Sequence, residues 1–354
     1  MEYQWWQWIV DESALNLLMG SLATWLLLGN IAVCLLVLSK GAEWMVDGAV
    51  ALARRTGLPK VVIGATIVSL GTTTPEAFVS VMAAWMGNPG LALGNGVGSI
   101  IADTGFIFGL TCLLTRVPLN RFILNRTGWV QVGSATLLVV IAGISWLLTG
   151  GQPVLGRAVG VGLLCLLVAY LYFTYRWAFE ETGSFVTIEV PDEGVAMSLL
   201  EGGVRIVAGL LLVIISARIL IFAATELALR LGVPEDVVAA TMVAFGTSLP
   251  ELVTAITAVR KGHPEITLGN IVGADVLNCL FVIGAAATAR PLAVPPNFFY
   301  FHFPTMLLIL YLFRWFISIN RDNVFKAWQG ACLLGIYAVY VIAQYATQGG
   351  VAAH

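Results

Sequence analysis

Two glutamates carry the strongest chemical signal in the chain. Ser69-Leu-Gly-Thr-Thr-Thr-Pro-Glu76 and Ala244-Phe-Gly-Thr-Ser-Leu-Pro-Glu251 each set a carboxylate directly after a proline, with paired hydroxyls just before it: Thr72 and Thr73 in one, Thr247 and Ser248 in the other. Both stretches sit near the middle of an apolar segment. Proline donates no backbone hydrogen bond and clashes with the carbonyl four residues earlier, and glycine in the same turn eases a break. Pro75 and Pro250 are therefore expected to free carbonyls near Gly71 and Gly246, so that each glutamate starts a new half-helix. Carboxylate, hydroxyl and freed carbonyl oxygens are hard ligands, suited to Na⁺ or Ca²⁺. A charged acid at the centre of a bilayer costs roughly 2.5–3.5 kcal/mol on insertion scales. Two such acids in matching places call for a compensating cation.

A second pair of motifs follows. Gly94-Asn-Gly-Val-Gly-Ser-Ile-Ile-Ala-Asp103 corresponds to Gly269-Asn-Ile-Val-Gly-Ala-Asp-Val-Leu-Asn278. The glycines are read as packing residues that let helices approach closely. They lack the G-x-G-x-x-G spacing and the βαβ context of a dinucleotide loop. Asp103 and Asn278 differ from them, because they occupy equivalent positions and both offer oxygens.

The elements that must position these groups are membrane helices. Of 354 residues, 59% are hydrophobic and 11% charged, where a soluble domain carries about 25% charged residues. Lipid must therefore be the solvent for most of the surface. Ten apolar spans are expected, at about 20–53, 60–86, 90–114, 127–148, 156–177, 198–230, 235–259, 266–288, 297–318 and 326–347. With both termini outside, the cytoplasmic loops and span ends hold 13 of the 18 Lys and Arg residues and the outer segments hold three, Arg157, Arg230 and Arg290. That asymmetry obeys the positive-inside rule.

The motifs recur because the chain repeats itself. Ala49–Gly109 aligns with Ala224–Gly284 at a constant offset of 175, without a gap, and 24 of the 61 positions are identical. About one in twelve is expected by chance for such a composition. Each half holds five spans, so the second half enters the membrane from the opposite side. The fold class is an all-α membrane protein of two inverted five-helix repeats: 1–178, a cytoplasmic connector at 179–197, and 198–354. Inverted repeats permit two states of similar energy, each open to one side, as a secondary transporter needs.

Other residues argue against other classes. Cys34, Cys112, Cys165, Cys279 and Cys332 form no CxxC and are read as small buried hydrophobes. The three histidines form no HExxH motif, and no nucleophile–base motif marks an enzyme. A net charge of −2, with no long Lys/Arg run, speaks against nucleic acid. The N-terminus, with Trp5, Trp6 and Trp8, reads as an interfacial belt rather than a signal peptide. Lys40, Glu43, Asp47, Arg218 and Glu226 fall within spans one and six and are read as interfacial or mutually paired charges.

At the paired G-T-[ST]-x-P-E and G-N-x-x-G motifs the chain resembles the cation/Ca²⁺ exchanger superfamily, most closely its sodium/calcium exchanger-like prokaryotic members. The resemblance covers both repeats and the ten-span plan. It implies Glu76 and Glu251 as shared Ca²⁺ and Na⁺ ligands, with Thr72 and Thr247 beside them and Thr73 and Ser248 at the next hydroxyl position. Ser69 and Ala244 match positions that offer backbone carbonyls, and Ser99 matches a hydroxyl ligand. It further implies Ca²⁺ exchange for Na⁺ by alternating access in a prokaryotic plasma membrane, with spans one and six sliding against the core and no cofactor beyond the transported ions. An H⁺/Ca²⁺ antiporter and a cation channel are the alternatives. Two departures stand out. The Asn of repeat one and the Asp of repeat two are exchanged, as Asp103 and Asn278, which keeps three acids. Ala274 replaces the serine expected opposite Ser99, and Asp275 beside it either compensates or faces elsewhere.

Overall fold

Helix dominates the computed structural model, which describes residues 19–182, 197–231 and 248–349. The helices are α1 Thr24–Thr56, α2 Lys60–Trp85, α3 Pro89–Leu114, α4 Arg121–Leu148, α5 Arg157–Thr182, α6 Leu199–Arg230, α7 Leu249–Arg260, α8 Pro264–Ala289, α9 Phe298–Ile319 and α10 Ala327–Gly349. Among the described residues, nine of them, all but α7, are long and apolar enough to cross a membrane. The first part of the expected span at 235–259, the aromatic N-terminus and most of the connector lie outside the described residues.

Local signals set the helix ends. α2 and α7 both close onto a glycine with positive φ, Gly87 at 85° and Gly262 at 77°. Proline then opens the next helix, as Pro89 in α3 and Pro264 in α8. Glycine tolerates the left-handed backbone of such a turn, and proline is preset for the first helical position.

Two short antiparallel ribbons join loops of different repeats. In one, β1 (Val117–Pro118) pairs with β4 (Val324–Phe325); in the other, β2 (Val154–Leu155) pairs with β3 (Leu292–Ala293). β1 and β3 are 175 residues apart, so each ribbon is the counterpart of the other. The ten-span plan places both partners of each ribbon on the same face of the membrane, and the two ribbons on opposite faces. Removing one crossing between them would put the partners on opposite sides, so the ribbons agree with ten spans.

The interior follows from which helices are enclosed. In α8, 83% of the apolar window is buried, against 28% in α1, α5 and α10. α8 therefore forms the axis, with α2 and α3 against it and the remaining helices outside. α1 and α6 lie together at glycines: a Cβ on Gly48 would come 2.6 Å from the Gly202 carbonyl, and one on Gly41 2.8 Å from the Gly209 carbonyl. Small residues at such a seam let two backbones touch.

Four of the five charges named within the outer spans, Lys40, Glu43, Asp47 and Glu226, are paired. Lys40 meets Glu43 at 2.9 Å, Arg230 meets Glu226 at 2.7 Å, and Asp47 meets Lys261 at 2.6 Å. The cysteines require a correction. Cys34, Cys112 and Cys279 are buried, but Cys165 and Cys332 lie exposed on α5 and α10. In a chain whose outer surface faces lipid, apolar sequence neighbours do not imply burial.

Candidate cation site

The site is built where α2 crosses α8. Glycines bring the two backbones into contact: a Cβ on Gly64 would lie 2.5 Å from the Ile266 carbonyl, and Cβ atoms on Gly269 and Gly273 would strike the backbone at Val61 and Ala65. This confirms the packing reading for Gly269 and Gly273. The close approach places Thr72 of one repeat against Asn270 of the other, with Thr72 Oγ1 3.4 Å from Asn270 Oδ1 and 3.4 Å from the Ser69 carbonyl.

Helix register is distorted around the site. Gly64–Val68 forms a π-helical turn directly before Ser69, and the Ala65 carbonyl there accepts the Tyr170 hydroxyl at 3.3 Å. Further π turns run over Asp103–Phe108 and Asn278–Val282. The two equivalent residues, Asp103 and Asn278, therefore each head a π turn. Such turns leave backbone groups out of the regular ladder and are frequent at functional sites.

The expected break at Pro75 does not occur. Helix continues from Ser69 to Trp85 with Pro75 inside it, so Glu76 lies within a helix and does not start one. Proline removes a single ladder bond, and local π adjustment lets a membrane helix absorb the change without breaking. Repeat two meets the expectation more closely, since α7 begins at Leu249 with Glu251 in its first turn. Gly246, Thr247 and Ala244 lie outside the described residues.

Of the expected ligands, the structure buries Ser69, Thr72, Thr73, Glu76, Ser99, Asp103, Ser248, Glu251 and Asn278. Glu76 has Glu251 and Asp103 as charged neighbours, Thr72 stands beside Glu251, and Ser248 stands beside Asp103. The two motifs thus interlock across the repeat boundary. Thr73 Oγ1, Glu76 Oε2, Asp103 Oδ1, Ser248 Oγ, Glu251 Oε2 and Asn278 Oδ1 are buried without a hydrogen-bond partner. Among the described residues, no ion pair involves any of these acids. Buried charge is costly unless paired, and the effective penalty is several kcal/mol, on the order of 5, per ion. Oxygens that are buried, negatively charged and unpartnered are chemically a receptor for a hard cation.

No three Asp, Glu, His or Cys groups among the described residues close on a single point. A cation here must therefore draw on hydroxyl, amide and carbonyl oxygens as well as carboxylates. Asn95 sets part of that arrangement: its amide donates to the Glu76 carbonyl at 3.1 Å and to Ser80 Oγ at 2.9 Å.

One buried acid falls outside the expected set. Asp275 is 1% exposed and has Asp103 as a charged neighbour. It faces Thr104 and Gln131, which both donate to its Oδ2, Gln131 Nε2 at 2.6 Å. The core therefore holds four neighbouring acids, Glu76, Asp103, Glu251 and Asp275, where three were expected. The signal in the sequence was an Asp three residues before Asn278, on the same face of the helix.

Fold and site together define an integral membrane protein that encloses a cluster of acids and free oxygens between two copies of one motif. The chain belongs to the sodium/calcium exchanger protein family, which matches residues 26–176 and 202–346. It is similar to the sodium/calcium exchanger MaX1 of Methanosarcina acetivorans, with 30% identity over 87% of this chain and 95% of that protein. It is also similar to the inner membrane protein YrbG of Escherichia coli, with 35% identity over 80% of this chain and 86% of that protein. Among solved structures, the sodium-calcium exchanger NCX_Mj superposes with a TM-score of 0.76 at 25% identity, over 90% of this chain and 99% of that one.

Proposed function

We propose that this chain is a secondary antiporter that exchanges Ca²⁺ for Na⁺ across a membrane by alternating access. The observation that carries the reading is the set of buried, unpartnered oxygens on Glu76, Asp103, Glu251, Thr73, Ser248 and Asn278 at the junction of the repeats. Ser69, Thr72 and Ser99 complete the described part of the ligand set. Thr247 and Ala244 join it by equivalence with Thr72 and Ser69.

Mechanism follows from charge. An empty acid cluster resists being closed off from water, because desolvation of unpaired carboxylates is costly. Loading Ca²⁺, or several Na⁺, neutralises it and permits occlusion and reopening on the other side. The two cations compete for the same glutamates, so one leaves as the other enters. The repeats, 1–178 and 198–354 joined by the cytoplasmic segment 179–197, supply two inverted halves of similar energy. The α1–α6 pair slides against the core that bears the site. Both termini lie outside a prokaryotic plasma membrane, as the Lys/Arg asymmetry supports.

The deciding experiment is uptake of labelled Ca²⁺ into proteoliposomes under an imposed Na⁺ gradient, an imposed pH gradient, or neither. Uptake driven by the Na⁺ gradient is expected. Uptake driven by the pH gradient alone would make the chain an H⁺/Ca²⁺ antiporter. Flux without any counter-ion would make it a channel.

Ala274 bears on the Na⁺ stoichiometry. It is fully buried, and its equivalent is Ser99. A methyl group cannot replace water around Na⁺, so the two halves are expected to bind Na⁺ unequally. Ala274→Ser should raise apparent Na⁺ affinity a few-fold, about 1 kcal/mol for one added oxygen contact, or steepen the Na⁺ dependence of Ca²⁺ efflux. An unchanged Na⁺ titration in a variant that still moves Ca²⁺ removes Ala274 from the argument.

A further inference from the structure

We infer that Asp275, Gln131 and Thr104, together with the free oxygen of Asp103, form an accessory subsite for one Na⁺ beside the exchange centre. The inference rests on the exchange reading and extends it to Thr104 and Gln131, which lie outside both motifs, and to Asp275, which the expected ligand set leaves out.

Geometry makes Asp275 an incomplete ligand. Thr104 and Gln131 both donate to Oδ2, which fixes the orientation of the carboxylate. Oδ1 is left buried with no partner, and so is Gln131 Oε1. Gln131 is 1% exposed, and its amide group reaches Asp275 through Nε2 at 2.6 Å, so its free oxygen lies beside the same carboxylate. Among the described residues, no Lys, Arg or His pairs with Asp275, and its charged neighbour Asp103 has the same sign. A structural cross-link between α8, α3 and α4 would explain the two donors. It would leave the free oxygens and the added negative charge unexplained.

The internal duplication provides a control. Within the gapless alignment Asp275 corresponds to Ile100 and Thr104 to Cys279, and the same offset carried past it sets Gln131 opposite Met306. All three counterparts are buried in the apolar core. The fold therefore closes at this place without polar groups, and packing does not require the trio. Three polar residues, drawn from three helices of both repeats and converging at only one of the two pseudo-symmetric places, form a built site.

The chemistry selects a monovalent cation. Oδ2 is engaged, so Asp275 offers one carboxylate oxygen, which with the free Oδ1 of Asp103 and the neutral amide and hydroxyl oxygens around it makes a set of about four. Ca²⁺ takes six to eight oxygens and commonly several carboxylates. Asp275 also brings the cluster to four acids, and one further Na⁺ balances that added charge.

The test is equilibrium binding of ²²Na⁺ and ⁴⁵Ca²⁺ to the purified full chain, with Na⁺-driven Ca²⁺ efflux measured in proteoliposomes. Asp275→Asn should bind one fewer Na⁺ per chain and give a shallower Na⁺ dependence of efflux, while still binding ⁴⁵Ca²⁺. An unchanged Na⁺ count overturns the subsite. So does an unchanged count accompanied by a shifted pH dependence of Na⁺ binding, which would show that Asp275 holds a proton. If Asp275→Asn does not fold, Gln131→Met introduces the residue already used in the other repeat and keeps the acid. It should weaken one Na⁺ site several-fold, and an unaltered Na⁺ titration overturns the proposal. Failure of the exchange reading looks different, because the wild-type chain would then show no competition between Na⁺ and Ca²⁺.

Discussion

Glu251→Gln and Glu76→Gln are each expected to abolish Na⁺-driven Ca²⁺ transport while leaving a folded protein. Both glutamates are 1% exposed, and each has one carboxylate oxygen with no partner. Glutamine keeps the volume and one oxygen, but it removes the charge that binds the cation. Losing one partner of a buried charge pair costs about 3–5 kcal/mol, equivalent to a loss of at least about a hundredfold in affinity. Folding should be spared, because the empty protein loses an unpaired acid and not a bond. Thermal unfolding separates the two effects. Ca²⁺ at 100 times its dissociation constant stabilises a folded state by about 2.7 kcal/mol, so the melting temperature of the wild-type chain should rise with Ca²⁺. In either variant that rise should disappear, while the cation-free melting temperature stays level or increases. Normal Ca²⁺ transport by purified Glu251→Gln would refute the assignment.

These residues were legible because the duplication is written in residue types at a constant offset. Glu76 with Glu251 and Asp103 with Asn278 are recognisable without any knowledge of packing. The spans were legible for a similar reason, since lipid demands long apolar helices and leaves their lengths in the sequence. What stayed hidden depends on tertiary fit. The π turns at Gly64–Val68, Asp103–Phe108 and Asn278–Val282 are shifts in hydrogen-bond register that no residue pattern announces. The unbroken helix through Pro75 is a similar case. Proline fixes which bond is missing, but neighbouring helices decide whether the axis breaks. Asp275 was visible beside Ala274, but where it faces was hidden, because its partners Thr104 and Gln131 are 171 and 144 residues away. Comparing the repeats for their differences as well as their identities would have exposed it, since Asp275 and both its partners stand opposite apolar residues.

Asp103 and Asn278 give the second large expected effect, because they are structural equivalents with different charge. Both head π turns, both are buried, and each has an Oδ1 without a partner. Asp103 also has Glu251 and Asp275 as charged neighbours, and Ser248 stands beside it. It supplies negative charge to the cluster, whereas Asn278 supplies only a neutral oxygen. Contacts involving a charged group are worth about 1.5–3 kcal/mol and neutral ones about 0.5–1.5 kcal/mol. Asp103→Asn should therefore lower Ca²⁺ affinity by about 10- to 150-fold, and Asn278→Ala by about 2- to 12-fold. Labelled Ca²⁺ binding and uptake by the two purified variants measure the contrast. Equal and mild losses would take Asp103 out of the site. The pseudo-symmetry allows a stronger check, because a charge removed from one half can be returned in the other. Adding Asn278→Asp to Asp103→Asn restores the number of acids at the equivalent position, and Ca²⁺ transport should recover. If the doubly substituted chain stays as impaired as Asp103→Asn, the two positions are not interchangeable, and Asp103 acts through its own neighbours, Ser248 and Asp275, rather than through the charge it brings to the centre.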